Sequence, residues 1–318
     1  MISLKRFSLL MATVAFTLTS AVSALAQQPP VTVKPIRPSQ KASVMQTFGV
    51  TDVTITYSRP AVKGRPIFAD APASMEERAK GEATLDNQNE RKPGEPIVPY
   101  NHIWRAGANE ATLFQVTDDV LINGQPLKAG AYSLHTIPGK DEWTIIFNSD
   151  PGQWGSFNYD SKKDTLRVKT KPQTASDNQE WLLYTIDPLD ASSARVNIRW
   201  EKLTVPFTVA VKDVKALWRA KADAVIAANP TNEQLTRQVA LTYLGDKNYD
   251  EALKFIDQSI KTKETFQNLS SKANILWAAG KKDEALTVAD AAIAKGKADK
   301  ANTTAFEKRV ADMRAGKL

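Results

Sequence analysis

Three stretches of this chain hold side chains of the kind that grip polar ligands. Arg59, Lys63 and Arg65 cluster around Pro60 and Gly64, just after an alternating run that ends at Ser58. Guanidinium groups on a turn can hold a carboxylate or phosphate in a two-pronged geometry. Trp104 and Arg105, followed by Asn109 and Glu110, place an aromatic ring, a cation, an amide and a carboxylate close together. Such a set can stack on, and hydrogen-bond to, a sugar or similar polar molecule. The third stretch, Gln153 to Asp160, is aromatic, glycine-bearing and rich in amides, and contributes Trp154, Tyr159 and Asp160 as candidate ligand-binding residues. Each stretch also has a purely structural reading. The Arg59–Arg65 cations can be solvated turn charge, Trp104 can be core with Arg105 and Glu110 paired locally, and the rings of the third stretch can close the end of a sandwich.

Several chemistries are excluded by what is missing. With 0 Cys and 2 His, the chain has no thiol nucleophile, no disulfide framework and no cysteine-ligated metal, and a multi-histidine metal site is hard to build. His102 precedes Trp104 after a proline, and His135 alternates within a strand-like run; each reads as a hydrogen-bonded structural imidazole. No Gly-x-Ser-x-Gly elbow, His-Glu-x-x-His helix, phosphate-cradling Gly-Lys-Ser/Thr loop or paired-histidine cupin motif is present. No catalytic residue, metal site or cofactor is therefore assigned. Glycosidases need only two carboxylates at no fixed sequence spacing, which keeps that class open, with Glu110 and Asp160 as the first pair to consider.

Positioning these groups falls to a chain that changes character along its length. Residues 1–26 open with Lys5 and Arg6, run apolar from Phe7 to Val22, and end in Ala24-Leu25-Ala26. A basic start, a short apolar centre and small residues at the end are the parts of a secretory signal peptide. The apolar run is interrupted by Thr13, Thr17, Thr19 and Ser20 and is short of a bilayer span. Cleavage is expected after Ala26, giving a periplasmic protein with no membrane span after cleavage. Loss of Lys5 and Arg6 lowers the formal charge of +7 to +5, mixed and diffuse, which gives no argument for nucleic acid.

After a linker at 27–38, residues 39–211 alternate with a period of two, as in Val53, Ile55 and Tyr57 against Thr54 and Thr56. Short runs at 111–117, 119–122, 131–137, 143–148, 164–170, 180–186, 194–201 and 203–211 predict strands. Turn signals lie between them, the best being Asn123-Gly124. Many short strands without crossover helices predict an all-β antiparallel sandwich or jelly-roll-like domain. The pattern is lost at about 69–96, a polar, charged segment read as an insertion: a surface loop or a lid over whatever the sandwich binds.

From 212 to 318 the period becomes helical. A first helix ends before Asn229-Pro230, and Thr231-Asn232-Glu233-Gln234 opens the next. Sliding the chain by 33 residues superposes Ala240, Tyr243, Ala252, Leu253 and Ser259 on Ala273, Leu276, Ala285, Leu286 and Ala292. The pattern resembles the tetratricopeptide repeat, with small residues where paired helices touch. Two degenerate repeats are expected, with covering helices at about 213–228 and 300–315, making an all-α helical-repeat domain. Thr236 and Leu269 stand where one large residue type is expected, and the terminal proline is absent.

The longest motifs of the sandwich are Tyr57–Arg65, Trp104–Thr112, Ala129–Leu134, Ile137–Asn148 and Gln153–Asp160. Over roughly 39–211 they resemble the exported bacterial family called domain of unknown function 2911. The resemblance implies fold and compartment and brings no activity; in that family the phrase at Tyr57–Arg65 runs almost directly into Val-Pro-Tyr-x-x-x-Trp-Arg, so the 69–96 segment is a departure. The expected function is an exported non-enzymatic binding protein. Its sandwich takes a small polar or glycan-like ligand, and its repeats at 231–296 dock a protein partner. A periplasmic hydrolase acting on carbohydrate or envelope polymers is the first alternative, and a structural part of an envelope complex the second.

Overall fold

The computed structural model describes residues 36–78, 85–87 and 91–318. The expected leader at 1–26 and most of the 27–38 linker lie outside the described residues, as do parts of the 69–96 segment.

The elements follow in the order β1 (Gln40–Phe48), β2 (Thr51–Arg59), β3 (Phe68–Ala69), α1 (Ala73–Arg78), β4 (Val98–Pro99), β5 (Thr112–Val116), β6 (Val120–Ile122), β7 (Gln125–Leu127), β8 (Gly130–Ile137), β9 (Trp143–Asn148), β10 (Asp164–Thr170), β11 (Gln173–Pro188) and β12 (Ser193–Ala210). Six helices complete the chain: α2 (Val214–Ala228), α3 (Glu233–Gly245), α4 (Tyr249–Thr262), α5 (Phe266–Ala278), α6 (Lys282–Ala298) and α7 (Thr304–Arg314). Single 3-10 turns stand at Leu85–Asn87 and Ser161–Lys163.

The antiparallel strands form a six-stranded sheet, β1-β2-β5-β8-β9-β10, and a four-stranded sheet, β11-β12-β6-β7. One apolar core lies between them. Val53, Ile55, Phe114, Leu134, Trp143, Ile145 and Phe147 come from the larger sheet and Tyr184, Ile198, Trp200, Phe207 and Val209 from the smaller. Alternation is what makes this possible, since every second side chain of a strand faces the same way. The tight turn between β6 and β7 is Asn123-Gly124, both at positive φ (45° and 81°), the geometry a two-residue hairpin requires.

Two expectations are revised. The runs at 194–201 and 203–211 are one strand, β12, because Glu201 takes φ 54° and absorbs the irregularity while still pairing with Gln179 of β11. In the 69–96 segment, β3 and β4 pair in parallel, Phe68 with Val98 and Ala69 with Pro99, so the two ends of the segment meet at one stem. Its few apolar residues are used: Met75 and Leu85 are buried together, beside Ala71, in a small cluster of their own.

In the helical part, α3 begins at Glu233 and α5 at Phe266, while α4 begins at Tyr249 and α6 at Lys282, an offset of 33 residues in both cases. Ala240, Ala252, Ala273 and Ala285 are fully buried, so the paired helices approach where no side chain larger than a methyl group intervenes. α2 covers one end through Ala222 and Ile226, and α7 the other through Val310 and Phe306. Val214 and Leu217 of α2 also pack against the sandwich core. No helix among the described residues is long and apolar enough to cross a membrane.

Candidate functional site

Strand register builds the most chemically dense region of the molecule. Thr56 lies opposite Leu113, Leu113 opposite Ser133, Ser133 opposite Asn148, and Asn148 opposite Asp164. The adjoining row carries His135, Ile146 and Arg167. These residues alternate with core members such as Phe114, Leu134 and Phe147, and so occupy the outer face of the six-stranded sheet. An outer face is ordinarily wet. Here Ser133, His135, Ile146 and Asn148 are all 0 % exposed.

The cover is the 149–163 loop, stitched down at both ends. Ser149 N–H donates to Lys163 O (2.8 Å), Ala111 N–H to Gln153 O (2.8 Å), and Gly155 N–H to Asn109 O (2.9 Å). Gly155 sits at φ 64°, and a Cβ there would press on the Phe157 ring and the Arg105 guanidinium. Beneath the loop, Gln153 Nε2 donates to Asp150 O (3.0 Å) and Asn148 Oδ1 (3.3 Å), and Asn148 Nδ2 to Asp164 Oδ1 (2.8 Å). Tyr159 OH donates to Asp164 Oδ2 (2.7 Å) and accepts from Arg167 Nη2 (2.9 Å). Burial, reinforced by the Asp164 carboxylate, raises the Tyr159 pKa and keeps its phenol protonated.

At the other end of the cluster, Asp86 is nearly buried. Its Oδ2 accepts from Arg105 Nε (2.7 Å), Arg105 N–H (3.0 Å) and Ser156 Oγ (2.9 Å), and its backbone oxygen accepts from Arg105 Nη2 (2.8 Å). His135 Nδ1 is 3.5 Å from Ser156 Oγ, and the His135 ring meets the Tyr159 ring edge-on at 5.0 Å. Buried His135 Nε2 has no hydrogen-bond partner among the described residues. Burial lowers the His135 pKa to about 4, against the smaller upward pull of Asp86 and Asp164, so the imidazole is neutral at pH 7. A serine, a histidine and an aspartate thus meet, but not as a nucleophilic triad. In a triad the imidazole stands between the other two, whereas Ser156 here donates directly to the carboxylate.

The ten residues singled out in the sequence separate into groups. Arg59 Nε donates to Leu182 O (2.8 Å) and Arg65 to Val62 O and Ala61 O, which commits both guanidiniums to backbone carbonyls near β11. Lys63, at φ 48°, uses its backbone N–H on Glu180 Oε1. Trp104 is 2 % exposed, stacks on Trp200 at 5.9 Å and satisfies its indole N–H with Gly107 O, so it is core. Arg105 binds Asp86, and Asn109 Nδ2 donates to Ser39 O while its own carbonyl accepts from Arg105 Nη1. Glu110 and Trp154 form an antiparallel bridge. Asp160 caps the 161–163 turn by accepting from Lys162 N–H. Arg105, Asn109, Glu110, Trp154, Tyr159 and Asp160 therefore gather around one loop, and Arg59, Lys63, Arg65 and Trp104 do not join them.

Asp86, Asn148, Asp164 and Arg167 escaped the reading from sequence. Asn148 closes a strand that was legible, but its pairing with Asp164 depends on register. Asp86 lies in an irregular segment with no periodic signal. Among the described residues, no group of three or more His, Asp or Glu side chains is placed to hold a metal ion.

These features define a two-sheet β-sandwich whose larger sheet carries a roofed polar cluster on its outer face, followed by helical hairpins. Residues 85–209 match the family model described as protein of unknown function (DUF2911), the family whose motifs the sequence resembles. The match begins at Leu85, inside the segment read as an insertion, and so takes in Asp86. No curated protein matches the chain.

Proposed function

We propose that this is an exported binding protein. Its sandwich takes a small polar or glycan-like ligand beside the 149–163 loop, and its helical hairpins dock a protein partner. The observation that carries the reading is Trp154, which is 51 % exposed although its backbone is pinned to Glu110. Glu110 in turn lines a cleft of about 90 Å³ together with Lys41, Thr56, Ser58 and Leu113. A cleft of that size seats part of one ring. The exposed indole beside it supplies a stacking surface, and the cation, carboxylate and hydroxyls supply hydrogen bonds. Export is supported by the basic, apolar and Ala-x-Ala succession at 1–26. Docking is supported by the 33-residue offset of the tetratricopeptide-like hairpins and by a polar groove of about 370 Å³ lined by Glu233, Arg237, Lys263 and Asn268. A binding rather than a hydrolytic role is favoured because Ser156 donates to Asp86 and not to His135, and Asp160 is used as a cap.

The test is calorimetry of residues 27–318 against a panel of glycans and polar metabolites. Binding of a panel member, weakened at least tenfold in Trp154→Ala with the melting temperature unchanged, supports the reading. Silence across the panel, or hydrolysis of a member that is lost in Glu110→Gln or His135→Ala, overturns it. For the helical part, recovery of a periplasmic partner that survives Arg237→Ala with Lys263→Ala refutes docking at this groove.

A further inference from the structure

The surroundings of Asp86 look less like a routine ion pair than like a receptor with its ligand in place. Three donors from the body of the sandwich converge on one carboxylate oxygen: the Arg105 backbone N–H at 3.0 Å, Arg105 Nε at 2.7 Å and Ser156 Oγ at 2.9 Å. Arg105 and Ser156 each have an anchor besides Asp86. Arg105 Nη1 is fixed by Asn109 O, and the Ser156 loop is fixed by the Gly155–Asn109 and Ala111–Gln153 bonds. Asp86 belongs to no strand of the sandwich. Its neighbour Leu85 packs with Met75 in the small satellite cluster and not with the main core.

Two further observations concern what the receptor is for. His135, wholly buried and 3.5 Å from Ser156 Oγ through Nδ1, leaves Nε2 without a hydrogen-bond partner among the described residues, and such unmet polar atoms are rare in protein interiors. Arg105 is itself nearly buried, and Asp86 is the carboxylate it pairs with. The Asp86 carboxylate also acts on Arg91, on which Glu95 acts too, so its loss falls chiefly on the Arg105 guanidinium. A buried cation with no counter-charge is strongly disfavoured. The nook therefore demands an anion, and the chain fills it with one of its own.

We propose that Arg105, its backbone N–H and Ser156 form a binding site for the carboxylate group of an external ligand, which Asp86 occupies as a built-in competitor. The site is distinct from the Trp154 cleft. A carboxylate is the matching anion because the nook already holds one, with a single oxygen taking all three bonds. The ligand's carboxylate takes the place of the Asp86 side chain, and His135 Nε2 is the nearby polar atom left for the remainder of the ligand.

Asp86→Asn keeps the side-chain shape and removes the competing charge, so it is the variant of choice, with Asp86→Ala as a second. Both are titrated with acetate against chloride at matched ionic strength, reading melting temperature and the NMR shifts of the Arg105 backbone amide. The expected result is acetate binding at least tenfold tighter in Asp86→Asn than in the unaltered protein, lost again in Asp86→Asn with Ser156→Ala. Equal affinity in the variant and the unaltered protein overturns the proposal, as does acetate binding that ignores Ser156→Ala. Preference for inorganic phosphate over acetate overturns the carboxylate assignment. If Asp86→Ala fails to fold, the decision rests on Asp86→Asn. If neither variant folds with or without acetate, Asp86 is a structural ion-pair partner and the proposal falls.

Discussion

Lys221 of α2 donates to Asp118 Oδ2 at 2.7 Å and to the Val50 carbonyl at 3.0 Å. One ammonium group thereby joins the first helix to two loops of the sandwich, the β1–β2 turn and the β5–β6 connection. Asp118 is almost wholly buried and also accepts from Thr51 and Thr117.

That arrangement sets an acid limit on the junction. Burial alone would raise the Asp118 pKa, but the bonds from Lys221, Thr117 and Thr51 outweigh it and the net shift is downward. A depressed carboxylate stabilises the fold above its unfolded pKa of about 3.8 and loses that contribution as pH falls through the lower folded value. Asp118→Asn should cost about 1–3 kcal/mol at pH 7, by leaving the ammonium without its counter-charge. Urea denaturation at pH 7 and pH 3 checks it: the gap between variant and parent narrows at the lower pH.

His135 acts in a different window. Its folded pKa is lowered from 6.5 to about 4 by burial, so the unfolded chain takes up the proton first as pH falls. Stability is therefore complete above about pH 6.5 and declines between there and about pH 4, by up to ~3 kcal/mol. His135→Gln should flatten that part of the stability profile in thermal melts from pH 7 to 4. An unchanged slope would mean the imidazole is wetter than the 149–163 loop allows.

Two tryptophans of the candidate stretches should behave oppositely. Trp104 is enclosed by Phe68, Trp143 and Trp200, and Trp104→Ala should destabilise by about 3–5 kcal/mol. Trp154 is half exposed, and Trp154→Ala should move stability by about 0.5 kcal/mol or less. Guanidinium unfolding curves of the two variants give the comparison directly.

The helical hairpins depend on residues that are small by necessity. Ala240 and Ala273 are 0 % exposed at equivalent places of the 33-residue offset, and leucine at either should cost about 1–3 kcal/mol through overpacking. Leucine at exposed Val225 should be nearly neutral. Circular dichroism melts of the three variants test this, and equal losses in all three would remove the equivalence of the two alanines.

How much of this was readable beforehand follows from what each feature depends on. The sandwich was legible because alternation in Val53–Tyr57 or Trp143–Asn148 is a local property that burial of one face imposes. The repeat was legible because Ala240 and Ala273 recur at a fixed distance. In the sequence β12 looks like two strands, because nothing there says that Glu201 adopts a positive φ and lets the ladder continue. The polar cluster was only half visible. The 153–160 loop announced itself by composition, while Asn148 and Asp164 meet through strand register. Asp86 meets Ser156 across 70 positions through an irregular segment. Trp104 shows the converse failure: an aromatic beside an arginine looks like a binding pair, yet adjacent residues of an extended segment face opposite ways, so one went to the core and the other to Asp86.

β12 has a mechanical meaning as well. It is 18 residues long, pairs with β11 along most of its length and with β6 at its far end, and only three residues separate it from α2. A force on the helices reaches the sandwich through this strand, lengthwise, as well as through Lys221 and the packed Val214 and Leu217, and along the strand the ladder resists as many bonds sheared together rather than unzipped singly. The longest strand of the sheet is also a tether by which the helices are anchored.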